Sequence, residues 1–211
     1  AATQAFMRWY FPRFLAKTFA LARQDEYEAD RIAGKLLGRE VTAAALAEIE
    51  IRGAWLQAEF WGRHWCVAAG NPLPVGPYRS MRRYLAEAPD ATFANDALLQ
   101  ALKRLSSVDD THPGLRDRIE ALDATPTLPA WSRGSALALL GGGARQWVKY
   151  FDKQWCSNNA TEWKQHHAWL ERVRARAEVL GTSMPQNSAA ELVELARLKR
   201  HLDPHADVRA L

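Results

Sequence analysis

Residues 23–38 read RQDEYEADRIAGKLLG, and their apolar members recur with the period of an α-helix. The recurrence follows the i, i+3, i+4, i+7, i+8 rule at Ala29, Ile32, Ala33, Leu36 and Leu37. This spacing gathers the apolar side chains on one face, which a helix of a soluble domain buries. Gly38 is of the residue type that most often follows a helix end. The segment therefore predicts a helix that stops at Gly38.

The same period continues on both sides of this segment. It predicts helices at about 42–69, 78–87, 95–106, 110–122, 144–180 (with a break near 157–161) and 188–202. Proline-rich loops at 70–77 and 125–135 separate some of them, because proline removes a backbone donor and ends a helix. No alternation typical of a β-strand runs longer than about four residues. We predict an all-α fold.

The distribution of charge argues against a nucleic-acid partner. The net charge is +4, but basic and acidic residues are interspersed along the chain. The densest basic spots, Arg82–Arg83 and Arg172, Arg174 and Arg176, are short. Nucleic-acid-binding domains concentrate such residues in a patch or a known module. These arginines are more typical of solvated helix faces, so no nucleic-acid partner is predicted.

Two carboxylates in the opening segment are candidates for chemistry. Glu26 and Asp30 are four residues apart, so on a helix they share a face. One carboxylate can supply an oxygen ligand to zinc, and a second acid one turn on can orient a neighbouring ligand. The alternative is a solvated acidic helix start beside Arg23, matched to the helix dipole. The residues alone leave both interpretations open.

Two motifs give this chain a resemblance to a known family. The pattern Arg23-x-x-Glu26-x-x-Ala29-Asp30 resembles the second signature of the M48 zinc metallopeptidases. The segment 111–119, with Thr111-His112-Pro113 followed by Arg118-Ile119, is similar to a second family segment that lies at the active-site cleft. The resemblance covers about residues 11–122.

The resemblance implies roles for four residues. Glu26 would be the third protein ligand of the zinc, and Asp30 would help to orient the ligand without itself binding the metal. His112 would be a cleft residue, close enough to contact the metal or the substrate, and Arg118 would contribute to the electrostatics of the cleft. For His112 there is a local alternative, a hydrogen bond made at a helix start. A peptide or protein substrate and a zinc cofactor are likewise implied by the resemblance.

One element of the family pattern is absent. The family's first signature is H-E-x-x-H, a helix with two His ligands and a Glu that acts on the metal-bound water. The sequence has six His, and none begins this motif. In the family the motif precedes the second signature, so we expect it upstream of Ala1. A single carboxylate holds zinc weakly, so the chain alone is predicted to be metal-free or weakly loaded and inactive.

The remaining histidines are poor substitutes for the missing ligands. His166 and His167 are adjacent, so on a helix their side chains point about 100° apart. His201 and His205 have i, i+4 spacing, but Pro204 breaks the helix between them. Neither pair is predicted to bind a metal.

These inferences predict an organisation and a function. Residues 1–124 would be a multi-helix fragment of a zincin-like metallopeptidase domain, 125–134 a linker, and 135–211 a C-terminal helical extension. The chain would be part of a zinc-dependent metalloendopeptidase. The alternative is a non-catalytic helical binding or scaffold protein, a peptidase that lost its metal. The H-E-x-x-H motif separates the two.

A membrane association is a further prediction for the intact protein. The stretch 5–22 cannot cross a bilayer, since Arg8, Pro12, Arg13 and Lys17 interrupt it. Its aromatic residues, interleaved with these basic ones, suit a membrane interface: Phe6, Trp9, Tyr10, Phe11, Phe14 and Phe19. The alternative is that these rings pack against the catalytic helix.

Overall fold

The regular structure of the chain is helical. The structure, a computed structural model, describes residues 2–106, 110, 112–131, 134–183, 186–203 and 206–207. Its α-helices are α1 Ala2–Leu37, α2 Arg39–Trp55, α3 Trp61–Cys66, α4 Tyr78–Tyr84, α5 Ala91–Lys103, α6 Leu115–Ala121, α7 Gly143–Asn158, α8 Ala160–Thr182 and α9 Ala189–Leu202. A π-helical turn joins α2 to α3, and 3-10 turns follow α3 and precede α7. No strand occurs within the described ranges, so the all-α prediction is confirmed.

Several helix ends follow directly from local residue types. α1 ends where Gly38 takes a φ of 102°, a conformation that costs glycine little. α9 begins with a capping box, in which Ser188 and Glu191 each hydrogen-bond the other's backbone N–H. Asp90 accepts the N–H groups of Thr92 and Phe93 at the start of α5. These caps satisfy backbone donors that a helix leaves unpaired at its start.

The chain divides into two compact units. The first comprises Ala1–Trp55 and Ala88–Trp131, and the second comprises Leu56–Glu87 and Ser132–Leu211. The domain organisation predicted from the sequence, with its linker at 125–134, stays a prediction.

The core of the first unit lies between α2, α5 and α6. Its buried members are Ala43, Leu46, Ala47, Ile51, Ala94, Leu98, Leu115, Ile119 and Leu122. Small residues allow close helix approach on the α1 side, where a Cβ added to Gly34 would lie 3.1 Å from the Cδ2 of Leu122. The second half of α1 is thereby held beside α6, and this places the candidate site.

The first half of α1 carries exposed aromatic rings. They are Phe6, Trp9, Tyr10, Phe11 and Phe14, whereas Phe19 is half-buried. The rings of Phe6, Tyr10 and Phe14 stack in sequence along the helix. Among the described helices none is long and apolar enough to span a bilayer. Membrane association through these rings, and their packing against a catalytic helix, both stay predictions.

The second unit is built around tryptophans. Trp163 is fully buried and donates from Nε1 to the carbonyl of Asn71 at 2.8 Å. A buried indole N–H normally finds such an acceptor. The rings of Trp65 and Trp155 pack against Trp163. His64 lies in the same cluster, 5 % exposed, and its Nε2 has no hydrogen-bond partner within the described part of the chain.

Acidification should destabilise this second unit. Burial lowers the pKa of His64 below its ordinary value of 6.5, against a backbone hydrogen bond at Val75 and the charge of Asp152 that raise it. Burial lowers the pKa of His166 in the same way. The unfolded chain therefore takes up these protons first, so their stabilisation is complete above about pH 6.5 and is lost as the pH falls below that value.

Urea unfolding at about pH 7.5 and about pH 5 measures this loss as a lower free energy of unfolding in acid. The variant His64→Gln/His166→Gln should show a shallower dependence on pH. A second unit that is as stable in acid as at neutral pH would contradict the assignment.

Candidate active site

The first unit brings the four predicted site residues together. Glu26 and Asp30 lie one turn apart on α1, and Arg118 lies on α6. His112 lies in the segment just before α6. Although 86 and 88 positions separate the residues of α1 from His112 and Arg118, their side chains are in hydrogen-bond contact. Thr111, the first residue of the second motif, lies outside the described residues.

Asp30 and Arg118 form a two-pronged ion pair inside the protein. Arg118 donates from Nε to Asp30 Oδ2 at 2.7 Å and from Nη2 to Oδ1 at 2.6 Å. Asp30 is only 6 % exposed. The hydrogen bonds to Asp30 raise the pKa of Arg118, against the opposite effect of burial. Paired hydrogen bonds between charged planar groups are strong and fix direction, so this pair locks α1 to α6.

Glu26 lies at the outer edge of this ion pair. Its Oε2 is 3.1 Å from Nη2 of Arg118, so one guanidinium serves both carboxylates. Its Oε1 is 2.9 Å from Nδ1 of His112. The side chain of Glu26 is 27 % exposed and that of His112 is 69 % exposed. The arrangement thus runs from buried Asp30 through Arg118 and Glu26 to a histidine in solvent.

Ser106 makes two hydrogen bonds to the residues that follow His112 and lead into α6. Ser106 Oγ accepts the N–H of Gly114 at 2.6 Å and donates to Asp117 Oδ2 at 2.5 Å. Arg23 reaches the same segment from α1 and donates from Nε to the carbonyl of Asp110 at 3.1 Å. The helix consequently begins at Leu115 with Gly114 as its N-cap, and no side chain caps it.

This geometry corrects the helix start expected near Asp110–Pro113. In the structure Asp110 accepts a hydrogen bond from Arg23 with its carbonyl, and α6 begins beyond Pro113. Ser106 belongs to neither motif, and its hydroxyl accepts the N–H of Gly114 from outside the helix. A serine eight residues upstream in a loop gives no local signal of such a contact.

Tyr27 lies next to Glu26 in the chain and is half-buried. Burial is the main cause that raises the pKa of its hydroxyl, and the charge of Asp117 adds to it. Arg23 and Arg118 act in the opposite direction. A neutral phenol beside the carboxylates adds no charge to the site at physiological pH.

The donors in this site are too few for a complete zinc site. Glu26 and His112 face each other, and the guanidinium of Arg118 takes the other side of Glu26. A catalytic zinc needs three protein ligands and a structural zinc needs four. Within the described residues no group of three or more His, Cys, Asp or Glu could hold a metal. Glu26 fits the role of one oxygen ligand, and further ligands would have to come from elsewhere.

The other histidines have structural contacts. Nδ1 of His167 lies 2.6 Å from the carbonyl of Ala68. His166 meets the ring of Trp65 edge-on, and His201 does the same with Trp169. His205 lies outside the described residues. The buried Nε2 of His166 has no hydrogen-bond partner among the described residues.

The side chains of the two motifs meet in this one site, although the motifs are far apart in the sequence. The chain belongs to peptidase family M48, whose family model matches residues 6–126. This range is more than half of the 211 residues and contains all four site residues. Neither a curated protein nor a solved structure matches the chain. Family membership gives the chain a peptidase-related role, in a family whose peptidases are generally zinc-dependent.

Proposed function

We propose that this chain is part of a zinc-dependent metalloendopeptidase in which Glu26 is the third protein ligand of the metal. The observation that carries the proposal is the position of Glu26. Its carboxylate lies at the exposed edge of a fixed side-chain network, with Arg118 on one oxygen and His112 on the other. A ligand held in this way loses little conformational freedom when a metal binds.

Arg118 and Asp30 would position Glu26. Asp30 contacts Arg118 through both of its oxygens and so fixes the direction of the guanidinium. The same guanidinium contacts Glu26 Oε2. Asp30 would therefore support the ligand through the guanidinium rather than by touching it. Carboxylate ligands that are themselves hydrogen-bonded in this manner are typical of metal sites.

His112 would act on the substrate side of the site. Its Nδ1 faces Glu26, and a neutral ring that donates from Nδ1 keeps its acceptor on Nε2. The ring is largely exposed, so a peptide in the cleft could reach it. Zinc, when bound, supplies a Lewis acid that polarises the scissile carbonyl. The general base would be the Glu of an H-E-x-x-H helix, which the 211 residues do not contain.

By itself the chain would be inactive, because its site offers two donors. The second candidate, a non-catalytic helical binding or scaffold protein, is favoured by one observation. Both oxygens of Glu26 have a side-chain partner, Arg118 on one and His112 on the other, as they would in a purely structural ion-pair network. Replacing Glu26 in the intact protein tests the proposal against this alternative, because only a peptidase loses zinc and activity.

A further inference from the structure

Ser106 joins the segment that carries His112 to the first turn of α6. Its hydroxyl accepts the backbone N–H of Gly114 at 2.6 Å and donates to Asp117 Oδ2 at 2.5 Å. In many helices a Glu at the third position accepts the N–H of the N-cap residue directly. Asp117 has this position in α6, and Ser106 lies between it and the N-cap residue Gly114. We name Ser106, Gly114 and Asp117 the serine bridge.

The serine bridge depends on a close approach of two stretches of backbone. A Cβ added to Gly114 would lie 3.1 Å from the carbonyl oxygen of Arg104 and 3.2 Å from Ser106 Oγ. Both distances are tighter than most Cβ contacts, so a larger residue at position 114 would push the two stretches apart. Pro113 and Gly114 are both buried. The backbone that follows His112 is therefore packed against residues 104–106.

This packing restricts the backbone of His112. Only Pro113 lies between His112 and Gly114. Proline fixes its own φ near about −65° and confines the residue before it to extended conformations. On the other side of His112, Arg23 Nε donates to the carbonyl of Asp110 at 3.1 Å. The backbone around His112 is thus held two residues before it and two residues after it.

The ring of His112 has few other constraints. Its side chain is 69 % exposed, and its Nδ1 lies 2.9 Å from Glu26 Oε1. The position of such a ring depends mainly on its backbone and on that one hydrogen bond. In an enzyme, a reacting group that is displaced by about 1 Å can cost about a hundredfold in rate.

We infer that Ser106 is a positioning residue for the proposed peptidase reaction. Through the N–H of Gly114 it holds His112 where the ring faces both Glu26 and the substrate. Asp117 holds the serine hydroxyl in the direction that this contact needs. The inference rests on the proposed function, in which His112 acts on the substrate.

The alternative is that the serine bridge only stabilises the start of α6. Arg118 lies in the first turns of that helix and contacts both Asp30 and Glu26. A displaced helix start would therefore disturb the proposed zinc ligand. The two roles differ in the quantity that changes. Positioning of His112 affects turnover at full zinc content, whereas a role in α6 alone affects stability or zinc content.

Kinetics and zinc content of the intact protein separate the two roles. Ser106→Ala should lower kcat and kcat/KM by the same factor, about tenfold to a hundredfold, because a transition-state contact is misplaced. KM and zinc per molecule should stay at wild-type values, because the contact of Arg118 with Glu26 does not involve the serine hydroxyl. Ser106→Thr keeps the hydroxyl and should restore most of the turnover.

A double variant shows whether Ser106 acts through His112. Ser106→Ala/His112→Gln should be no slower than His112→Gln alone, because positioning has no effect once the ring is absent. Ser188→Ala is the matched control. It removes the serine of the capping box of α9, in the other unit, and should leave kcat unchanged.

Hydrogen exchange in residues 1–211 provides a readout that needs no activity. The amide of Gly114 should exchange with solvent at least about tenfold faster in Ser106→Ala than in the wild-type chain, because it loses its acceptor. An unchanged exchange rate would show that the serine bridge does not hold this backbone, and it would overturn the inference whatever the kinetics.

Three kinetic outcomes would also overturn the inference. The first is wild-type turnover in Ser106→Ala, and the second is a loss of turnover together with zinc. The third is a double variant in which the two single losses multiply. Glu26→Gln separates these failures from failure of the proposed function. An inactive Glu26→Gln beside a fully active Ser106→Ala contradicts the inference alone, whereas an active Glu26→Gln contradicts the proposed function.

Discussion

Given the proposed role of Glu26, its replacement by Gln in the intact protein should abolish zinc retention and lower proteolysis by about a thousandfold or more. The substitution keeps the size of the side chain but removes the charge that a zinc ligand needs. Loss of the metal removes several kcal/mol of transition-state stabilisation, and each 1.4 kcal/mol corresponds to about a tenfold change in rate. Zinc per molecule by mass spectrometry and cleavage of an unfolded protein substrate provide the two readouts.

Two further variants show whether a loss of zinc and proteolysis is specific to Glu26. Glu28→Gln lies two residues away on α1, where Glu28 is exposed and pairs with Arg31, so zinc content and proteolysis should stay at wild-type values. His112→Gln should keep the zinc and lower turnover, because His112 contacts Glu26 but is proposed to act on the substrate. Full activity in Glu26→Gln would exclude Glu26 as a ligand.

Replacing Arg118 by Met should destabilise the first unit by about 3–4 kcal/mol. The variant leaves the carboxylate of Asp30, which is 6 % exposed, without its charged partner. An unpaired buried charge costs more than the pair itself contributes, since desolvation is no longer compensated. Urea unfolding of the chain, followed by far-UV circular dichroism, measures the difference.

The double variant Asp30→Leu/Arg118→Met separates this cause from simple loss of packing. With both charges removed the site becomes apolar, so most of the lost stability should return. Arg31→Met is the matched surface control, and it should leave the free energy of unfolding nearly unchanged because the pair of Arg31 with Glu28 is solvent-exposed. A single Arg118→Met variant as stable as the wild type would show that the ion pair does not hold α1 to α6.

Local sequence patterns predicted the helices best where the signal lies in neighbouring residues. The end of α1 at Gly38 follows from the glycine itself, and the start of α9 follows from Ser188 and Glu191 three residues on. The break between α7 and α8 falls at Asn159, inside the interval predicted to interrupt that stretch. In each case the residues that decide the structure are within one helical turn of it.

Contacts between distant segments escaped prediction. The motifs named Asp30, Glu26 and Arg118, but no periodicity indicates that one guanidinium contacts both acids, 88 and 92 positions away. The start of α6 depends on Ser106 in the preceding loop for the same reason. Trp163 is buried and hydrogen-bonded to the distant Asn71, whereas Trp147 is 54 % exposed.

The metal content of the intact protein, measured beside residues 1–211 alone after exhaustive gel filtration, tests the proposed role of Glu26 most directly. We predict about one zinc per intact molecule, as expected for a catalytic site with three protein ligands, and well under one for the isolated chain. Tight binding of one zinc by residues 1–211 alone would show that the site needs no ligands from outside. An intact protein without zinc would leave Glu26 with its partners Arg118 and His112 and favour the scaffold alternative.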